Sequence, residues 1–183
     1  MKVVFLDRDG VISKYIEGDY IKKWEEFEFV PGAIEGLKIL YKNGYKLVII
    51  SNQAGINKGL FTMEQLNEVT EMMKKELGKH GIKLEKVYYC PHTEEENCNC
   101  RKPKPGMFLK AKEELGIDEL KGLFFIGDSE TDIEAGKNLG LKTILVLSGR
   151  TKRNEVEKMK IKPDFVAENL KDAAEIVIKN GKI

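Results

Sequence analysis

The chain has 183 residues, 33% of them charged and 42% apolar, and its 31 Lys and Arg nearly cancel its 30 Asp and Glu. A net charge of +1 gives no global field for nucleic acid or an anionic membrane, and no apolar run approaches the roughly 20 residues a membrane helix needs. A chain of this length buries roughly 70% of its unfolded surface, so one domain over 1–183 is expected.

In chain order, the first element is an expected strand at 2–7, whose apolar run Val3-Val4-Phe5-Leu6 ends in Asp7-Arg8-Asp9-Gly10. Met1 leads into it without the length or flanks of a signal peptide, and a cytoplasmic location is expected. Residues 10–30 are rich in aromatics and charge and follow neither the strand nor the helical period; irregular segments this long are functional or disordered. Pro31 opens a helix over 31–43, with Ile34, Leu37 and Leu40 at helical spacing and Gly44 at its C-terminal cap. A strand at 45–51 ends in Ser51-Asn52-Gln53, and Thr62 caps a helix that runs to about Lys79. After a strand at 85–90 comes a second irregular segment, 91–104, which ends in Arg101-Lys102-Pro103-Lys104 ahead of a helix from Pro105 to Gly116. A strand at 122–128 leads through Gly127-Asp128-Ser129 into a helix ending at Gly140; strands at 142–147 and 164–167 and a helix at 169–179 complete the chain.

Continuous apolar runs that alternate with helical segments predict an α/β fold, a three-layer arrangement with a central parallel sheet between helices. In such a sheet ligands bind outside the carboxyl ends of the strands. Polar residues mark three of those ends here, at Asp7, Ser51 and Asp128, and Lys102 marks the start of the Pro105 helix. If the backbone stays extended, Asp7 and Asp9 lie on one side and repel each other; with Asp128 they form a hard-oxygen site suited to Mg²⁺, an ion that works beside phosphate. An ionised Asp can attack phosphorus while a second acid protonates the leaving oxygen and later activates water. Asp7 and Asp9 suit those two roles. Ser51 and the turn after it, with Asn52 and Gln53, suit phosphoryl and substrate binding, and Lys102 offsets the combined negative charge.

With these residues in this order the chain resembles the haloacid dehalogenase (HAD) superfamily, whose four motifs match Asp7-x-Asp9, Ser51, Lys102 and Gly127-Asp128 with Asp132. The resemblance implies a phosphatase in which Asp7 is the nucleophile and Asp9 the general acid/base. It also implies that Mg²⁺ is held by Asp7, Asp9 and Asp128. Asp132 is either part of the site or a residue that holds its loop.

Cys90-Pro91-His92 and Cys98-Asn99-Cys100 supply three thiols and an imidazole, the donor set of a closed tetrahedral Zn²⁺ site. With four protein ligands no position is left for water, so a structural zinc is expected, pinning the loop that ends at Arg101 and Lys102. This loop, followed by Arg-Lys-Pro-x-Pro-Gly, is similar to the branch of the superfamily that holds the heptose bisphosphate and histidinol phosphate phosphatases. That resemblance implies an open site without a large cap, a small phosphorylated metabolite as substrate, and Arg101 on the phosphate that stays behind. A sugar bisphosphate cleaved at C7 is the expected substrate, with histidinol phosphate and a phosphotransferase as alternatives. Residues 10–30 with Tyr20 and Trp24, the turn 53–58 and Arg101 are expected to set specificity, with an ordinary core contact as the alternative for the aromatics and for Trp24 above all, and the protein is expected to act as a monomer.

Overall fold

The computed structural model describes residues 1–181. Six strands, β1 (Val3–Leu6), β2 (Lys46–Asn52), β3 (Lys86–Cys90), β4 (Phe124–Gly127), β5 (Lys142–Val146) and β6 (Phe165–Ala167), pair in the order β3-β2-β1-β4-β5-β6. Every pairing is parallel. The helices are α1 (Ala33–Lys42), α2 (Met63–Lys79), α3 (Gly106–Leu115), α4 (Glu130–Asn138), α5 (Arg153–Val156) and α6 (Leu170–Asn180).

Successive strand residues point to opposite faces of a sheet, so each central strand feeds two cores. Val4 and Leu6 of β1, with Leu47 and Ile49 of β2, pack with Leu37 and Leu40 of α1, Met73 and Leu77 of α2 and Ala173 and Val177 of α6. Val3, Phe5, Val48 and Ile50 face the other way onto Met107, Phe108 and Ala111 of α3 and Ala135 of α4. This two-sided burial explains why the strands read as unbroken apolar runs.

The helix ends follow their sequence signals. Thr62 forms a capping box with Gln65: its hydroxyl accepts the Gln65 N–H at 3.1 Å, and its own N–H donates to Gln65 Oε1 at 2.8 Å. Ser129 caps α4 by accepting the Asp132 N–H at 3.3 Å, and Gly116 closes α3 in the left-handed region. Helix α5 is a single turn whose one apolar residue, Val156, packs against the small cluster of Ile133, Leu145 and Met159, and four residues are too few to show a helical period. In the 10–30 segment Trp24 stacks on Phe27 and packs against the first core, the core contact that is the alternative for it, whereas Tyr20 reaches the cleft. Among the described residues no helix is long and apolar enough to cross a membrane.

Strand order reverses at β1: the chain moves outward through β2 and β3, then returns to place β4 on the other side of β1. Such a switch point opens a crevice at the carboxyl ends of the strands.

Candidate active site

Asp7 directly follows β1 and is 9% exposed, and its N–H still donates to the Ile126 carbonyl of β4 at 3.0 Å. Asp128 follows β4. Gly10 and Gly149 press on Asp128 from two sides: a Cβ at Gly10 would lie 2.0 Å from its Oδ2, and one at Gly149 would lie 2.4 Å from the same atom. Gly10 also holds φ at +89°, a conformation other residues adopt at a cost. The Asp128 carboxylate is fixed further by the Arg150 N–H at 2.9 Å.

Lys102 is the hub. Its buried Nζ donates to Asp132 at 2.7 Å and to the Ile50 carbonyl at 3.0 Å, and lies 3.0 Å from Asp7 Oδ2. Asn52 grips the Lys102 main chain from both sides, its Oδ1 accepting the N–H at 3.0 Å and its Nδ2 donating to the carbonyl at 3.3 Å. Lys104, the second lysine of the Arg101-Lys102-Pro103-Lys104 run, is exposed and turned to Asn97 and the Cys98 carbonyl.

The carboxylates of Asp7, Asp128 and Asp132 lie within 4.8 Å of one another, all buried. Burial pushes the Asp7 carboxyl up to about 7; Lys102 opposes the rise, while Asp132 and Asp9 add to it. Asp128 is raised well above the usual carboxylate range by burial and by Asp132 and Asp7. Asp132, despite burial, is held below that range by Lys102 and also accepts the Asp128 N–H at 3.0 Å. Lys102 thus offsets the charge of Asp7 and Asp128 only in part, and Asp132 is spent on Lys102 and the turn. One cation with one or two carboxylate ligands, waters and a phosphate oxygen fits that arrangement, which is the habit of Mg²⁺.

Asp9 is not in this trio, contrary to the expected metal set of Asp7, Asp9 and Asp128. The chain leaves β1 at Leu6 and turns, so the two side chains do not share a strand face. The Asp9 Oδ1 accepts from Arg8 Nε and Ser13 Oγ, both at 2.9 Å, and its Oδ2 from Arg8 at 3.2 Å and Gln53 Nε2 at 2.9 Å. Burial works against its charge, but the Arg8 guanidinium wins and holds it below its ordinary pKa. Asp9 still lines the cleft; Gln53 is fully buried behind it and does not. Gln53 Nε2 also reaches Ser51 Oγ at 3.1 Å, so the Ser51 proton is free to point elsewhere.

The cleft has a volume of about 710 Å³. Asp7, Ser51 and Asp128 line its floor, and Arg101, Lys58 and Arg150 bring cations to its walls. Asn52 lines it too, although its amide is committed to Lys102. Arg150 and Asp132 are the residues that sequence reasoning undervalued. The signal for Arg150 was its place in Ser148-Gly149-Arg150, a polar run just past a strand end.

Cys90, His92, Cys98 and Cys100 also converge within 4.8 Å. Cys90 Sγ lies 3.4 Å from His92 Nδ1, 3.6 Å from Cys98 Sγ and 3.1 Å from Cys100 Sγ, and Cys100 lies 3.3 Å from His92 and 3.6 Å from Cys98. A tetrahedral ion with Zn–S bonds of about 2.3 Å spans edges only a little longer than these. Burial pushes the Cys90 thiol up. At Cys98 the Arg101 N–H, donating at 3.3 Å, helps to outweigh burial and bring the thiol down to about 6.

A model of HAD-hydrolase-like proteins matches residues 99–173. The chain is 38% identical over 183 residues to the D-glycero-beta-D-manno-heptose-1,7-bisphosphate 7-phosphatase of Pasteurella multocida, covering 96% of each. It is 41% identical over 154 residues to the D-glycero-alpha-D-manno-heptose-1,7-bisphosphate 7-phosphatase of Campylobacter jejuni, covering 84% of this chain and 87% of that one. The crystal structure of D,D-heptose 1,7-bisphosphate phosphatase from B. bronchiseptica, a complex with magnesium and phosphate, superposes with a TM-score of 0.91 at 30% identity, covering 98% of this chain and 99% of that one.

Proposed function

Because the chain belongs to the HAD-like hydrolases, as a relative of the heptose-1,7-bisphosphate 7-phosphatases, we propose that it hydrolyses the C7 phosphate of D-glycero-D-manno-heptose 1,7-bisphosphate through a phospho-aspartate on Asp7. The observation that carries the chemistry is the buried Lys102 ammonium within 3.0 Å of Asp7 and 2.7 Å of Asp132, at the floor of a cleft edged by Arg101, Lys58 and Arg150. That floor is built for an anion that must meet a carboxylate.

Asp7 attacks phosphorus, and the bond from phosphorus to the ester oxygen breaks as that oxygen takes the proton of Asp9. Asp9, now ionised, takes a proton from water as the water oxygen attacks phospho-Asp7. The bond from phosphorus to Asp7 breaks, phosphate leaves, and Asp9 carries the proton into the next turnover. Ser51 directs its hydroxyl at the phosphoryl oxygens because Gln53 occupies its acceptor side. Lys102, clamped by Asn52, holds Asp7 and offsets the charge that gathers on the phosphoryl group. Mg²⁺ bound at Asp7 and Asp128 supplies the further positive charge that lets a phosphate approach two carboxylates. Zn²⁺ held by Cys90, His92, Cys98 and Cys100 fixes the loop that presents Arg101 and Lys102.

Arg101, which lines the same cleft as Asp7, is the partner for the phosphate that stays on the sugar. The proposal takes the enzyme to be a cytoplasmic, single-domain monomer; its three thiols, none in a disulfide, suit a reducing compartment. Phosphate release with Mg²⁺ from the α and β anomers of the heptose bisphosphate and from histidinol phosphate tests it. A preference for either bisphosphate of at least about 100-fold in kcat/KM, or ~2.7 kcal/mol, is the expected result, and preference for histidinol phosphate would overturn the substrate.

A further inference from the structure

Arg8 is the largest fully buried side chain among the described residues, at 0% exposure, and lies between the two reacting carboxylates in sequence. Burying a cation is costly, and a well-packed apolar side chain commonly replaces a buried ion pair with no loss of stability. What Arg8 touches therefore matters. Its Nε donates to Asp9 Oδ1 at 2.9 Å and its terminal NH2 to Oδ2 at 3.2 Å, a fork that fixes the carboxylate in position and in plane. The other terminal nitrogen faces Tyr89 Oη at 3.5 Å, and the guanidinium lies 5.7 Å from the centre of that ring. Tyr89 is tied in turn to Thr70 Oγ1 at 2.8 Å, and Thr70 to the Leu66 carbonyl of α2 at 2.8 Å. The fork is anchored on both sides.

A carboxylate offers about four acceptor positions, and on Asp9 the two Arg8 nitrogens, Ser13 Oγ and Gln53 Nε2 fill them. To take a proton, Asp9 must lose one donor. The two neutral donors each have a second acceptor in reach: Ser13 Oγ has the Arg8 carbonyl at 3.3 Å, and Gln53 Nε2 has Ser51 Oγ at 3.1 Å. Nε and NH2 of Arg8 have none but Asp9 among the described residues.

Resting on the acid/base role proposed above for Asp9, we propose that Arg8 is the positioning residue for both proton transfers, holding the Asp9 carboxylate in one place while Ser13 or Gln53 turns aside to admit the proton. Arg8 touches neither the phosphoryl group nor the leaving oxygen in this scheme. Its effect passes entirely through Asp9.

Arg8→Lys keeps the charge and loses the fork. Steady-state hydrolysis of an alkyl phosphate, the heptose bisphosphate, should fall roughly 100-fold or more, the range of a misplaced general acid, with KM little changed. With p-nitrophenyl phosphate the leaving phenolate needs no proton, so the first transfer to Asp7 should persist. Hydrolysis of phospho-Asp7 still needs Asp9 as base, and a stoichiometric burst of p-nitrophenolate should therefore precede a slow steady state. A purely structural defect lowers both phases together and gives no burst; that result, or wild-type rates on both esters, would overturn the proposal. If Arg8→Lys does not fold, as judged by circular dichroism and zinc content, Tyr89→Phe frees only the outer nitrogen. Its slow phase should drop roughly threefold with the burst intact, and an unchanged slow phase counts against Arg8. Wild-type protein inactive on both esters would overturn the phosphatase reading along with the proposal, whereas an active wild type beside an unaffected Arg8→Lys overturns the proposal alone.

Discussion

Two clusters of metal-binding side chains lie at the carboxyl ends of the strands and differ in almost every physical respect. The thiol and imidazole cluster draws its donors from eleven consecutive positions, 90 to 100, and turns all four inward on one another. The carboxylate cluster draws Asp7 from the end of β1 and Asp128 and Asp132 from the turn and helix after β4, and it opens on a cleft. The closed cluster has nothing left to bind but its ion. In the open one burial and like charge raise Asp7 and Asp128 together, and a single lysine leaves that charge only partly offset. Completed electrostatics give a structural site; incomplete electrostatics, held in place by buried glycines and a clamped lysine, give a reactive one.

Asp7→Asn should break the contrast most sharply. It removes the nucleophile and one of the repelling charges, so turnover should fall by roughly 10⁴-fold or more while the thermal midpoint is unchanged or higher. Substantial residual kcat would end the covalent route.

Cys98→Ser attacks the other cluster. Bound zinc, measured as about one ion per chain in the wild type, should be lost. The melting temperature should drop by roughly 10 °C, the size expected if about 3–5 kcal/mol of folding energy goes with it. Activity should fall too, because the Arg101 N–H loses its anchor on Cys98 and the segment that carries Lys102 loosens. A variant of unchanged stability would remove zinc from the fold.

Magnesium added across a pH series sharpens the electrostatic half. Asp7 has its folded pKa raised to about 7 from 3.8, so it binds more protons folded than unfolded between those values. Its contribution to stability is full below the unfolded pKa and is lost as pH rises through about 7; Asp128 shifts in the same direction. A cation relieves that loss only where the carboxyls are ionised. Thermal melts should show Mg²⁺ stabilising the protein by about 2–3 kcal/mol at pH 8 under a hundredfold excess over Kd, and by much less at pH 5. An equal shift at both values would place the ion elsewhere.

The smallest expected effect is at the cleft wall, where Tyr20 Oη accepts from Lys58 Nζ at 3.1 Å and the Tyr20 ring packs 5.6 Å from Phe61. Tyr20→Phe should raise KM for the bisphosphate by about threefold, the worth of one exposed hydrogen bond, with kcat unchanged. A fall in kcat instead would tie this wall to the chemistry.

Much of this was legible before the fold. Asp7, Ser51, Lys102 and Asp128 stood at element ends, the Thr62 cap lay where its helix starts, and the zinc donors sat close together in the chain. Asp9 was legible as a residue and not as a geometry. Two carboxylates two positions apart share a side only on an extended backbone, and the chain had already turned. Gln53 read as a substrate contact because it follows Ser51, yet its amide spans 44 residues to Asp9 and lies behind the cleft wall.

The sequence by itself determined the alternation of apolar strands and helices, the parallel sheet, the donor set of the thiol cluster and the strand ends that carry chemistry. These depend on composition and on spacing within single elements, where backbone geometry fixes direction. Only the tertiary structure decided which carboxylates meet, that Asp132 is neutralised by Lys102 from 30 residues away, and that Arg8 turns inward to hold Asp9. Those outcomes depend on how separate elements pack and how turns re-aim side chains, and a buried charge settles wherever the assembled fold offers it a partner.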